Sequence, residues 1–173
     1  MCNVNIYTKF QETSNDLICY CESLDDSTYF KKGEKWNAAE VVDHLQRSVN
    51  PVNIAMSLPS FILILLFGRS NRSSKSYNEL IEKYKRAIQK GGVASRKYTP
   101  KGNLNNRQKN INLLKKQCAE LQSKIISRKI KDWDNCILPH PLIGKLTLLE
   151  MIFFTSYHIE HHLNTLRFYN EKN

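Results

Sequence analysis

Three of the chain's five histidines fall within five positions of one another, in the stretch SYHIEHHLNTLR from Ser156 to Arg167. If that stretch is helical, His158 and His162 lie four apart on one face, their Cβ atoms about 5 to 6 Å from each other. Two imidazoles so placed can reach one divalent ion at about 2.1 Å. His161 stands about 100° around the helix from His162, so it belongs to the rim of such a site and not to its centre. The same face carries Leu148, Met151, Ile152, Thr155, Ile159 and Leu166, which is the stripe a bundle turns inward. An inward imidazole pair needs partners, because burying it bare is costly. A metal is one answer; hydrogen bonds to buried backbone or water are the other.

A third histidine bears on the choice. His44 is flanked at helical spacing by Val41, Leu45 and Ser48 and also faces inward on its own helix. Three neutral imidazoles from two helices are a metal set that leaves coordination positions open for water or substrate, whereas a closed structural site needs a fourth protein ligand. No cysteine is placed to supply one. The ligand set read here is therefore His44, His158 and His162, holding a divalent ion. Zinc and nickel suit imidazole best, with iron behind them.

Other polar residues have simpler explanations. His140, between Pro139 and Pro141, shapes its loop or lines an entrance. Glu40 belongs to a helix cap. Asp43 and Glu160 read as solvated.

The elements that must carry these residues are helical throughout, since apolar residues recur at steps of three and four and strict alternation is scarce. A first helix is expected over about residues 4 to 26, with Phe10, Leu17, Cys21 and Leu24 as its stripe. The second starts at Asn37, an N-cap with Glu40 at N3 and a Trp36–Val41 staple. It kinks at Asn50–Pro51 and resumes through FILILLF, Phe61 to Phe67, as a buried extension. SYNELIEKYKRAIQK is expected as a surface helix stopped by Gly91–Gly92, and RKYTPKGN as loop. A third bundle helix covers Asn105 to Arg128, with Ile111, Leu114, Cys118, Leu121 and Ile125 as its seam. DWDNCILPHPLIG, with two prolines, is irregular. The fourth bundle helix opens at Thr147, in a capping box with Glu150 and a Leu146–Met151 staple, and continues to about Tyr169. The long connection between the second and third bundle helices predicts an all-α four-helix bundle with one long crossover, a single domain over residues 1–173.

Composition narrows the partners. Of the formal charge of +10, residues 69 to 131 hold 18 Lys/Arg against 3 Asp/Glu, a surplus of 15, while the remainder is acidic by 5. A basic middle invites an anionic partner, but no nucleic-acid reader motif accompanies it, so nucleic acid is not the expected partner. FILILLF is far short of the roughly 20 residues a membrane span needs, and no membrane partner is expected. Five cysteines without a CxxC pair, and no signal peptide, point to a reduced cytoplasmic protein. Cys19 and Cys21 face nearly opposite sides of their helix and cannot share a site.

EKWNAAEVVDHLQRS resembles the second-helix signature of the DinB/YfiT-like superfamily of metal-dependent enzymes: a Trp, a helix start, an acidic residue, then His-Leu. LPHPLIGKLTLLEMIFFTSYHIEHHLNTLR resembles the C-terminal signature of branches of the same superfamily, with HPLxGKLT, a Glu at the helix start and HxxHH near its end. The resemblance implies a divalent metal held inside a four-helix bundle by one histidine of the second helix and two, four apart, of the last. Carried onto this chain, these are His44, His158 and His162. Where the family commonly has Gln, three positions after the last ligand, this chain has Thr165. Relatives include S-transferases that use a low-molecular-weight thiol, and isomerases, and many have no assigned activity.

The expected protein is thus a metal-dependent transferase or hydrolase, in which the bound thiol or water, and no protein side chain, attacks a small-molecule substrate. The apolar FILILLF run and the family resemblance both point to a homodimer. The competing expectation is a non-catalytic bundle whose basic face binds an anionic partner such as nucleic acid, recognisable by salt-sensitive binding that survives loss of His158.

Overall fold

The computed structural model describes residues 2–101, 104–129 and 131–171, with side chains from Ile6 onward. Gly102 and Asn103 of the expected loop and the thiol of Cys2 lie outside the described residues. Four long helices form the bundle: α1 (Cys2–Ser23), α3 (Ala38–Ser57), α6 (Arg107–Ser127) and α8 (Leu148–Glu171). Each packs on two others, α1 and α3 both on α6 and both on α8. Short α2 (Asp26–Tyr29) links α1 to α3, and α4 (Ser60–Phe67) and α5 (Tyr77–Gln89) lie in the crossover. Between α6 and α8 come α7 (Asp132–Asn135) and a hairpin of β1 (Ile137–His140) with β2 (Gly144–Thr147).

The polar contacts show why the crossover is long. Gln46 donates to the Asn110 carbonyl, Asn53 to that of Gln117, and Arg128 to that of Leu58, so α3 and α6 run in the same direction. Arg107 near the start of α6 meets the Cys21 carbonyl at the end of α1, and Gln122 meets Ser14, so that pair is antiparallel. Parallel neighbours cannot be joined by a tight turn, and the chain must return along the bundle between them. The seam of α6, Ile111, Leu114, Cys118, Leu121 and Ile125, is buried throughout, as is Phe10, Leu17 and Cys21 of α1. Helix α1 stops before Leu24 because Asp25 leaves the helical conformation to cap α2.

Three expectations change. Helix α3 continues unbroken through Pro51, whose flanks Val49, Val52, Ala55 and Met56 are buried, so packing holds the helix that proline alone would weaken. The break falls at Leu58–Pro59, where Leu58 is extended, as a residue before proline prefers, and α4 leaves at 116° to α3. Within α4 only Leu63 is fully buried, Ile64 and Phe67 pack partly on the core and Phe61, Leu65 and Leu66 are exposed, so FILILLF is a half-exposed helix and not a fully buried extension. The passage around Pro139 and Pro141 is not irregular: it forms the hairpin, with Pro139 opposite Lys145. The expected surface helix α5 buries Leu80, Ile81 and Tyr84, and its Tyr77 and Tyr84 rings meet Phe153 and Phe154 of α8 edge-on. Among the described residues no single helix is long and apolar enough to cross a membrane; α3 and α4 reach that length only together, across their bend.

Candidate metal centre

Both helices that carry the histidines are fixed at their starts. Asn37 accepts from the Glu40 N–H while Glu40 accepts from the Asn37 N–H, the reciprocal cap expected for α3. Thr147 and Glu150 do the same for α8. About two turns beyond the first cap and three to four beyond the second, the inward faces of α3 and α8 bring His44, His158 and His162 together. His44 Nε2 lies 3.0 Å from His158 Nε2, and His162 Nε2 lies 3.1 Å from the same atom. All three ligand atoms are within 4.8 Å of one another.

The rest of the surroundings orients these rings. His44 Nδ1 is 2.7 Å from the Tyr98 carbonyl oxygen. A carbonyl only accepts, so Nδ1 carries the proton and the Nε2 lone pair faces the cluster, the arrangement in which an outer hydrogen bond fixes the tautomer of a metal-binding imidazole. His158 is stacked on Phe154 at 5.1 Å, and Trp36 packs on both His44, at 4.8 Å, and His162, at 6.1 Å. Burial keeps all three imidazoles below their ordinary pKa, His158 and His162 well below it because neighbouring imidazoles oppose their charge too, whereas for His44 the Tyr98 carbonyl and Asp43 offset part of the effect of burial. Three neutral imidazoles whose Nε2 atoms converge, with the His44 lone pair turned inward, are a donor set an ion can use, and imidazole suits zinc, nickel and iron alike.

The cluster is not sealed. An open cleft of about 960 Å³ runs over its His162 side, lined among others by Trp36, Tyr77, Tyr157, His161 and Thr165. His44 and His158 are buried, whereas His162 is only partly so. The chemistry this permits is that of an ion bound on one side by protein and approached on the other by a small molecule.

The family model of the DinB superfamily matches residues 9–166, from the first bundle helix into the last turns of the fourth. The chain belongs to the DinB superfamily. No curated protein and no solved structure matches it.

Within this DinB chain the remaining candidates separate clearly. His161 is exposed on the cleft rim, as its angular position predicts. His140 shapes its loop: Nδ1 accepts from the N–H groups of Leu142 and Ile143, and the ring packs edge-on against Phe154. Thr165 donates back to the His161 carbonyl, so the hydroxyl standing in the position of the family's Gln is bonded to its own helix. Asp43 and Glu160 are not simply solvated. Glu160 pairs with Lys9 at 3.0 Å. Asp43 is buried and accepts from Arg47 Nε and from the Lys101 N–H, each at 2.8 Å. It thereby anchors the loop whose Tyr98 carbonyl holds His44.

Two further features were not foreseen from the sequence. One is Tyr98, whose contribution is a backbone carbonyl and carries no residue-type signal. The other is Glu150, whose carboxylate does more than cap α8. It is fully buried and accepts from both Arg72 nitrogens at 2.6 and 2.8 Å, and from the N–H groups of Lys75 and Thr147. Burial alone would raise its pKa, but these donors outweigh burial and hold it below the usual value.

Proposed function

We propose that this DinB protein is a metal-dependent enzyme in which His44, His158 and His162 hold a divalent ion, zinc or nickel before iron, inside the bundle. The observation that carries the reading is the convergence of three Nε2 atoms with His44 held by the Tyr98 carbonyl, below a cleft that reaches only one side of the cluster. An ion bound there lowers the pKa of a thiol or water it coordinates and so makes a nucleophile at neutral pH. The residues do the remainder. Trp36, on the cleft side, and Phe154, on the buried side, pack against the imidazole planes and hold them. Tyr77, Tyr157 and His161 line the approach along which a small electrophilic substrate would enter.

Burial pushes the Cys21 and Cys118 thiols up to about 12, which makes them poor nucleophiles, and among the described residues no cysteine belongs to the three-histidine cluster or lines the cleft over it. The nucleophile of this proposal is a low-molecular-weight thiol or water held by the ion, giving S-transfer or hydrolysis. The test is elemental analysis of untagged protein purified without chelator, followed by assay of thiol consumption with model electrophiles. We expect a near-stoichiometric transition metal and a turnover abolished by chelation. Protein that carries no transition metal and takes up neither added zinc nor nickel would end this reading.

A further inference from the structure

We propose that α4 and the cations around it form a docking surface for an anionic phospholipid membrane. Phe61, Leu65 and Leu66 are 70%, 83% and 59% exposed. Phe61 and Leu65 lie one turn apart, so the three make a short apolar ridge on a helix that leaves the bundle at 116° to α3. Scattered apolar residues are ordinary on a surface, but a run of large ones on one projecting helix marks an interaction site.

The charges around the ridge select the partner. At the start of α4, the largely buried Arg128, itself paired with Asp132, donates to the Leu58 carbonyl and to Ser60 Oγ and so ties α4 to the end of α6 without facing outward. Exposed Lys129 follows it in the chain, and exposed Lys131 lies two positions further on. At the end of α4, Lys145 reaches the Phe67 carbonyl and exposed Arg69 pairs in backbone register with Cys136. Of the nearby acids, Asp132 is neutralised by Arg128, while exposed Asp134, bonded to the uncharged Ser74, keeps its charge against the exposed cations Arg69, Lys129, Lys131 and Lys145. An apolar ridge ringed by cations fits a surface that is anionic outside and apolar beneath. A phosphodiester backbone would use the cations and leave the ridge exposed. A second copy meeting this face symmetrically would use the ridge but set like charges against each other.

The expectation of no membrane partner rested on the length needed to span. Docking needs only that apolar side chains enter the boundary between headgroups and acyl chains, to a depth of about 5 to 10 Å. Each Lys or Arg at the surface adds about fivefold in partition to anionic lipid, and salt screens this.

The experiment is co-sedimentation of the full chain with vesicles of phosphatidylcholine, alone or mixed with phosphatidylglycerol, at low and high salt. Light scattering of the same samples reports oligomeric state. We expect sedimentation with the mixed vesicles only, weakened by salt. It should fall about tenfold or more in Phe61→Ser/Leu65→Ser and again in Lys129→Glu/Lys145→Glu. Metal content and melting temperature of these surface variants report that they fold. Absence of vesicle binding, equal binding to neutral vesicles, or undiminished binding by Phe61→Ser/Leu65→Ser would overturn the proposal. So would a dimer that Leu65→Ser dissociates in protein that binds no vesicles.

Discussion

His44 and His158 stand 114 positions apart in the chain and meet Nε2 to Nε2 at 3.0 Å, one from α3 and one from α8. His162 closes the group one turn further along α8, while its sequence neighbour His161 turns away to the cleft rim. The functional unit is therefore a contact between two helices, and the run HIEHH is half of it. His44→Ala and His158→Ala should each lose most of the bound metal. His161→Ala and His140→Ala should retain it, because neither ring contributes a nitrogen to the converging set, although the His161 ring touches that of His162. Elemental analysis of the four untagged variants makes the comparison. Unchanged metal in His44→Ala would remove α3 from the site.

Acid should act on the metal-free protein through the same rings. His44, His158 and His162 are all held below 6.5 by burial, and His140 is pushed down to about 4 by burial and by Lys83. Between the folded and unfolded pKa values the unfolded chain binds more protons, so stability falls as pH is lowered through that window. Melting temperature of metal-free protein should be flat above about pH 7, then decline between about 6.5 and 4. Metal saturation should offset the upper part of the decline, since protons and metal compete for the same lone pairs. A melting temperature that rises on acidification through this range would contradict the buried, neutral histidines.

Asp43 acts on the site from outside it. Its carboxylate holds the Lys101 N–H, and the same loop presents the Tyr98 carbonyl to His44. Asp43→Ala should release that loop and weaken metal binding by about 10- to 100-fold, the usual scale for losing an orienting partner. Asp43→Asn keeps an acceptor for the N–H and should recover most of the affinity. Competition with a chromophoric chelator measures both. Equal affinity in wild type and Asp43→Ala would show that His44 is oriented without this loop.

The bundle and the three-histidine cluster were legible because both rest on local periodicity. The face shared by His158 and His162 follows from 3.6 residues per turn, and both capping boxes occupy the positions their spacing indicates. What escaped depends on the tertiary fold. Asp43 looks like any helix-surface acid until Lys101, 58 positions away, is set against it. Pro139 suggested irregular chain because a two-stranded ribbon, which is all edge and tolerates proline, leaves only a four-residue signature per strand. The direction α4 takes depends on which of Pro51 and Pro59 breaks the helix. Burial around Pro51 decided it, and burial is not written in the local sequence.

The Arg72–Glu150 pair offers a prediction about stability that is separate from the metal. Arg72 lies between α4 and α5 in the crossover and Glu150 in the first turn of α8, 78 positions later, so their bidentate contact fastens the long connection to the helix that carries two of the three clustered histidines. Glu150 is buried whereas the Arg72 side chain is about a third exposed, so the two truncations are not equivalent. Arg72→Ala leaves the buried carboxylate with its backbone donors and the Lys75 ammonium at 4.0 Å, and should cost about 2 to 3 kcal/mol, below the full range for a buried pair because that cation remains and solvent already screens Arg72. Glu150→Gln removes the charge but leaves an oxygen for one of the Lys75 and Thr147 N–H groups, and should cost less. Because the Glu150 pKa is depressed, its contribution is present above the ordinary carboxylate range and is lost as pH falls through the folded value. Urea unfolding of wild type and Arg72→Ala at pH 7 and pH 4 should therefore show the difference shrinking in acid. A difference that grows on acidification would mean that the carboxylate is not the group Arg72 stabilises.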